Sequence, residues 1–120
     1  MQVTIYHNPD CGTSRNALAA IRAAGHEPRI VEYLKQRLTR DELKALIGRA
    51  NITVRDVVRK KEALFRELGL DERDVGDDEI LDAMIEHPIL INRPIVSTED
   101  AVRLCRPSET VKVLLARDTQ

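Results

Sequence analysis

The residues best suited to chemistry lie in one short stretch, His7-Asn8-Pro9-Asp10-Cys11-Gly12-Thr13-Ser14-Arg15. Cys11 is the candidate nucleophile, because a thiolate attacks electrophiles where a thiol does not. Ahead of it, Val3, Thr4, Ile5 and Tyr6 alternate with β-branched residues, as a strand does. Behind it, Ala17, Leu18, Ile21 and Ala24 recur at helical spacing. Cys11 therefore falls where a strand feeds the N-terminus of a helix. Unpaired backbone N–H groups and the positive end of the helix dipole meet there, binding anions and favouring thiolate. Gly12 permits close approach of a ligand to backbone. Thr13 and Ser14 can cap the helix or donate to a bound oxyanion, and Arg15 adds positive charge.

The spacing also excludes chemistries. Cys11 and Ser14 form Cys-x-x-Ser, so no second thiol stands ready to resolve a disulfide locally. A Cys-x5-Arg phosphate loop would need arginine at position 17, which is Ala17. His7, His26 and His87 are scattered and show no metal-ligand spacing. Cys105 reads as a small, half-buried strand residue rather than a redox partner. Among the arginines, Arg59 opens the basic run Arg59-Lys60-Lys61, Arg93 precedes Pro94, and Arg106 precedes a helix start. An arginine at a helix start opposes the dipole unless an anion is near.

These residues need elements to hold them. The strand, turn and helix around Cys11 end at Gly25, a residue suited to close a helix, and a second strand follows over residues 29–33. Strand, helix and strand over about 30 residues form a right-handed βαβ unit. The middle is helical. Thr39 and Glu42 match a capping box ahead of Leu43, Leu46 and Ile47. Thr53 is expected to cap a helix bearing Val54, Val57 and Val58, with Leu64 and Phe65 further on and Gly69 closing the stretch. Asp77 is expected to cap a third helix, with Ile80, Leu81, Met84 and Ile85 inward, ending at His87-Pro88. Residues 94–97 and 101–105 read as an antiparallel hairpin. Pro107 suits the first turn of a last helix from Ser108 to about Ala116. The order resembles a thioredoxin-like α/β fold with a helical insertion and a mixed sheet of about four strands.

The chain has 120 residues, expected to form a single domain over residues 1–120 with one core. A chain of this length buries roughly 65% of its unfolded surface without needing a staple. Lysines and arginines number 19 against 20 acids, a net charge of −1 that lacks the footprint of a general nucleic-acid binder. Aromatics are only Tyr6, Tyr33 and Phe65, so stacking platforms for bases are absent. No apolar run approaches the ~18 residues of a membrane span. The N-terminus shows no signal-peptide pattern, and two distant cysteines suit a reducing compartment, so a cytoplasmic monomer is the expectation.

The run from His7 to Asn16 resembles the arsenate reductases that use glutathione and glutaredoxin. Val58-Arg59-Lys60, His87-Pro88-Ile89-Leu90-Ile91-Asn92-Arg93-Pro94-Ile95 and Leu104-Cys105-Arg106-Pro107-Ser108-Glu109 extend the likeness in family order over nearly the whole chain. The resemblance implies a thioredoxin-like fold and a catalytic cysteine, which maps onto Cys11. It implies three arginines around the oxyanion, which map onto Arg59, Arg93 and Arg106, and a histidine near the thiolate, which maps onto His7. Pro94 matches the cis-proline position of such folds. Asn8, Ser14 and Arg15 are expected to shape the anion loop. Arsenate is the implied substrate and glutathione a co-substrate; no bound cofactor or metal is implied. Asp10 departs from the neutral residue that relatives often carry, and a carboxylate facing the sulfur would oppose thiolate formation. Two rivals remain: a thioredoxin-like transcriptional regulator, which usually carries Cys-x-x-Cys at this helix, and a glutathione-dependent reductase of another substrate, which would not need three arginines.

Magnitudes divide the labour between thiolate and arginines. Lowering a cysteine pKa from ~8.5 to ~6.5 raises the thiolate fraction at pH 7 about 25-fold. The accompanying loss of nucleophilicity, borrowed from disulfide exchange, costs about 8-fold, so the net gain is about 3-fold. One charged hydrogen bond contributes ~1.5–3 kcal/mol. The arginines are therefore assigned chiefly to the oxyanion and its transition state, with thiolate stabilisation secondary.

Overall fold

In the computed structural model, which describes residues 1–117, the alternating residues at the N-terminus form strand β1 (Thr4–Tyr6). Helix α1 (Gly12–Ala23) follows with Ala17 and Ile21 buried, as the apolar stripe requires. It closes at Gly25, whose φ of 92° only glycine adopts freely. Gly25 N–H donates to the Arg22 carbonyl at 3.0 Å and His26 N–H to that of Ile21 at 3.2 Å, the paired bonds of a Schellman ending. Strand β2 (Arg29–Val31) then runs parallel to β1, with Ile5 opposite Ile30. Strands β3 (Ile95–Ser97) and β4 (Val102–Leu104) form the expected antiparallel hairpin, and β3 also pairs antiparallel with β1. The sheet is four-stranded and mixed, in the order β2-β1-β3-β4.

The described chain divides into two compact units, Met1–Gln36 with the segment from Arg93 onward, and Arg37–Asn92. The first holds the sheet, α1 and the last helix, α6 (Thr110–Arg117). Its core joins Val3, Ile5 and Val96 of the sheet to Ala17 and Ile21 of α1 and to Val111, Leu114 and Leu115 of α6, with Cys105 among them. All of these are aliphatic or small, and a fully buried isoleucine or leucine of this kind contributes roughly 1.5–3 kcal/mol. The βαβ half therefore supplies a rigid floor at the C-terminal end of β1, where the loop to α1 begins.

The second unit is the helical insertion, entering the chain between β2 and β3. Helix α2 (Arg40–Ala50) starts with both reciprocal bonds of a capping box between Thr39 and Glu42. Thr53 caps α3 (Val54–Val57) in the same way with Asp56. The expected continuous helix over Val54, Val58, Leu64 and Phe65 is broken, and α4 (Ala63–Glu67) is a separate turn. Val58 is extended (φ −72°, ψ 136°) and bridges to Ile91. Asn92 N–H donates to the Val57 carbonyl and Arg59 N–H to that of Leu90, each at 2.7 Å. Those long-range bonds replace the i to i−4 bonds a continuing helix would make. Helix α5 (Asp77–Glu86) is capped by Gly76, not Asp77. Asp77 instead joins Asp78 and Glu79 in the first turn, where negative charge suits the dipole. Its inner face, Ile80, Leu81 and Met84, is buried, and the chain leaves it through a 3-10 turn (Pro88–Leu90).

The start of α6 also differs from expectation. Thr110, Val111 and Lys112 donate to Pro107, Ser108 and Glu109, each three residues back, so tight turns precede a helix that begins at Thr110. Both Arg93–Pro94 and Arg106–Pro107 are cis. No helix among the described residues is long and apolar enough to cross a membrane.

Candidate active site

The loop after β1 is shaped by its own polar groups. Asn8 is buried, and its Oδ1 accepts the Asp10 N–H at 2.9 Å. Its carbonyl accepts the Cys11 N–H at 3.0 Å. These two bonds turn the chain so that Cys11 arrives in extended backbone (φ −99°, ψ 121°) as the N-cap of α1. Arg15, one turn into the helix, donates from Nη1 to the Pro9 carbonyl at 2.9 Å and braces the loop from outside. Arg15 is thus a strut for the loop more than a free charge. At Gly12 an added Cβ would meet only Arg15 Nη2, at an ordinary 3.7 Å. The chain itself therefore does not demand glycine there.

Ser14 behaves differently from the expectation that it would cap the helix or reach an oxyanion. Its side chain is fully buried, 2.6 Å from His7 Nδ1, and its Oγ accepts the Asn8 N–H at 3.1 Å. With Asn8 donating to it, the hydroxyl keeps its proton and a second lone pair, so the direction of its bond with His7 Nδ1 follows the ring tautomer. A neutral ring agrees with its surroundings. Burial lowers the His7 pKa, Glu32 opposes that, and Arg15 and Arg22 reinforce it. The expectation missed this because helical spacing places Ser14 on the first turn but cannot say that its face turns towards the end of β1.

The sulfur itself is half-buried, and burial pushes the Cys11 thiol up. Three groups outweigh that and bring it down to about 7: the Ser14 backbone N–H, the Arg93 guanidinium and the Arg106 guanidinium. The Ser14 amide, third in the helix, acts from nearby without the geometry of a full capping hydrogen bond. Arg106 Nη1 lies 3.8 Å from Sγ and also donates to the Arg93 carbonyl at 2.8 Å. That carbonyl bond fixes a long, otherwise exposed side chain over the sulfur. Arg93 is 8% exposed, held at the start of β3. Asp10 is exposed, contributes its N–H to the Asn8 turn, and is not among the groups acting on the thiol.

Cys11, Arg93, Arg106, His7, Asn8, Gly12, Thr13, Ser14 and Arg15 all belong to the first unit, and the sheet brings 95 residues of sequence separation down to 3.8 Å. Arg59 belongs to the second unit. It follows the Val58–Ile91 bridge and stands 3.3 Å from Glu62 as an ion pair, rather than on a helix face. Cys105 is fully buried, and burial drives its thiol up to about 12, so it is inert at neutral pH.

A thiolate at a helix N-terminus, flanked by two guanidinium groups, can attack a tetrahedral oxyanion while those groups neutralise its charge. At pH 7 a pKa of about 7 leaves half the sulfur ionised, against ~3% for an ordinary cysteine. Alkylation of Cys11 by iodoacetamide should therefore rise with pH through a midpoint near 7 and level off above 8. The sign follows from the anion being the reactive form, lost as pH falls through its pKa. A midpoint above 8 in rapid-quench mass spectrometry would contradict this electrostatic picture.

A thioredoxin-like sheet presenting a single activated cysteine beside arginines defines a thiol-dependent enzyme of oxyanions. The ArsC family pattern matches residues 6–114, and the chain belongs to that family. It is 59% identical over 115 residues to an "Arsenate reductase" of Rhizobium meliloti (strain 1021), covering 96% of this chain and 82% of that one. It is 55% identical over 113 residues to an "Arsenate reductase" of Escherichia coli (strain K12), covering 94% and 80%. The solved "Arsenate reductase from Vibrio cholerae" superimposes with a TM-score of 0.90 at 41% identity, covering 94% of this chain and 97% of that one.

Proposed function

We infer that the protein reduces arsenate to arsenite through Cys11, with glutathione and glutaredoxin as reductants, and so detoxifies arsenate. The observation that carries this reading is the Cys11 sulfur, at a pKa of about 7, with the Arg106 guanidinium 3.8 Å away and Arg93 beside it. The Cys11 thiolate attacks arsenic and an arsenic oxygen leaves as water, taking up two protons, with arsenic still in the +5 state. A glutathione thiolate then attacks the Cys11 sulfur of the adduct. The electron pair of the S–As bond stays on arsenic, which leaves as arsenite in the +3 state, and the two sulfurs are oxidised to a mixed disulfide. Glutaredoxin takes glutathione from that disulfide and returns the Cys11 thiolate. The Cys-x-x-Ser spacing supports the need for outside thiols, since Ser14 cannot resolve a disulfide.

Arg93 and Arg106 hold and neutralise the oxyanion, and the family resemblance adds Arg59 to them. His7, through Ser14 and Asn8, keeps the loop in register with the sulfur. Gly12 and Thr13 present backbone to the oxyanion. A monomer suffices for this chemistry, and the reducing cytoplasm suits its thiols. Oxidation of NADPH, followed with arsenate, glutathione, glutathione reductase and glutaredoxin, tests the reading. Consumption should require arsenate and both thiol reductants. No arsenate-dependent consumption by folded protein with a titratable Cys11 would overturn it.

A further inference from the structure

Beyond the sulfur, α1 and the turns leading into α6 border an open polar depression of about 220 Å3, lined by Asn16, Ala20, Ser108, Glu109 and Lys112. Both of its walls begin at the active site. Asn16 lies five residues along α1 from Cys11, a rise of roughly 7.5 Å. Ser108 lies two residues after Arg106, whose guanidinium touches Sγ. The pocket holds one acid and one base three residues apart, with the Lys112 N–H bonded to the Glu109 carbonyl so that both emerge on one side of the turn. Among the described residues neither side chain is in an ion pair, with the other or with any third group. Its volume is many times the ~10–15 Å3 that one water needs on the same measure, which leaves room for a small polar moiety.

An acid and a base held side by side match a ligand that carries an ammonium and a carboxylate on one carbon. We propose that this pocket seats the γ-glutamyl end of glutathione, with Glu109 receiving its ammonium, Lys112 its α-carboxylate, and Asn16 and Ser108 hydrogen bonding beside them. The inference rests on the glutathione-dependent reading above. The length agrees: by standard bond lengths the cysteine sulfur of glutathione stands roughly 8 Å from its γ-glutamyl α-carbon. Seating that end would hold the attacking thiol near Sγ and distinguish glutathione from smaller thiols.

The test uses the full chain with Cys105→Ser and does not depend on arsenate. Cys11 thiolate attacks oxidised glutathione, forming the Cys11–glutathione disulfide and releasing one glutathione thiolate. The rate is read by mass spectrometry for the parent, Lys112→Glu and Glu109→Lys. It is compared with the rate for bis(2-hydroxyethyl) disulfide, which carries no γ-glutamyl end. Both single variants should slow reaction with oxidised glutathione about fivefold or more and leave the reaction with the neutral disulfide within twofold. Simple long-range attraction would instead move the two variants in opposite directions, and that result, or unchanged rates, would overturn the proposal. In the arsenate assay the same variants should raise the KM for glutathione and leave that for arsenate unchanged. A raised KM for glutaredoxin alone would assign the pocket to a protein partner and also overturn the proposal. Slower glutathionylation in a protein that fails to turn over arsenate would retain this site and discard the arsenate reading.

Discussion

Cys11→Ser should abolish arsenate reduction coupled to glutathione and glutaredoxin, a loss of at least about 10³-fold, while Cys105→Ser keeps most of the activity. The two cysteines differ in environment, not in kind. Cys11 is brought to a pKa of about 7 by the Ser14 amide and two guanidinium groups that outweigh burial, whereas Cys105 is pushed to about 12 by burial in the sheet core. A serine hydroxyl at position 11 would stay protonated in the same field, so neither the S–As bond nor the mixed disulfide could form. Cys105→Ser carries a different cost. It places a more polar group in a core of Val96, Val111 and Leu114, a burial cost that the Arg103 carbonyl, 3.7 Å from the Cys105 sulfur, offsets in part. Its effect should therefore be read in thermal unfolding, with the rate per folded molecule preserved. Equal loss of activity in both variants, at equal folded fraction, would contradict the assignment.

The second large effect concerns the arginines. Arg106→Ala should lower kcat/KM for arsenate about 10- to 150-fold, the range of one charged hydrogen bond of ~1.5–3 kcal/mol. Arg93→Ala should cost at least as much. In both, the Cys11 alkylation midpoint should rise, since both groups help hold it near 7. A full return to an ordinary thiol pKa removes only about 3-fold of net nucleophilic advantage, because the more basic thiolate is also the better nucleophile. The remaining loss must come from the bound oxyanion. Arg106→Lys should recover only part of it, because a lysine ammonium can replace Nη1, the one nitrogen that contacts both the Arg93 carbonyl and the sulfur, but offers no planar guanidinium fork to the oxyanion. Thiol titration beside steady-state kinetics separates the two effects. A large rise in midpoint with unchanged arsenate dependence would mean that the arginines serve the sulfur alone.

Features read correctly from the sequence share one property: they are made by residues close together along the chain. The capping boxes at Thr39 and Thr53 are bonds between residues three apart. The Gly25 ending, the short hairpin and the strand–turn–helix around Cys11 are equally local. Features that were misread involve competition from distant partners. The helix expected across Val58 gave way to bonds with Leu90, Ile91 and Asn92. Ser14 has a capping residue's chemistry at a position where the end of β1 takes its hydroxyl.

By itself the amino-acid order determined the family, the candidate nucleophile and the absence of a local resolving thiol, because each is a matter of residue type at fixed spacing. Only the tertiary structure decided that Arg106 reaches Cys11 across 95 positions and is locked there by the Arg93 carbonyl. It alone decided which cysteine ionises and that His7 meets the sulfur's loop through Ser14. Electrostatic energy depends on distance in space and on exclusion of water, and neither is defined until the sheet has formed.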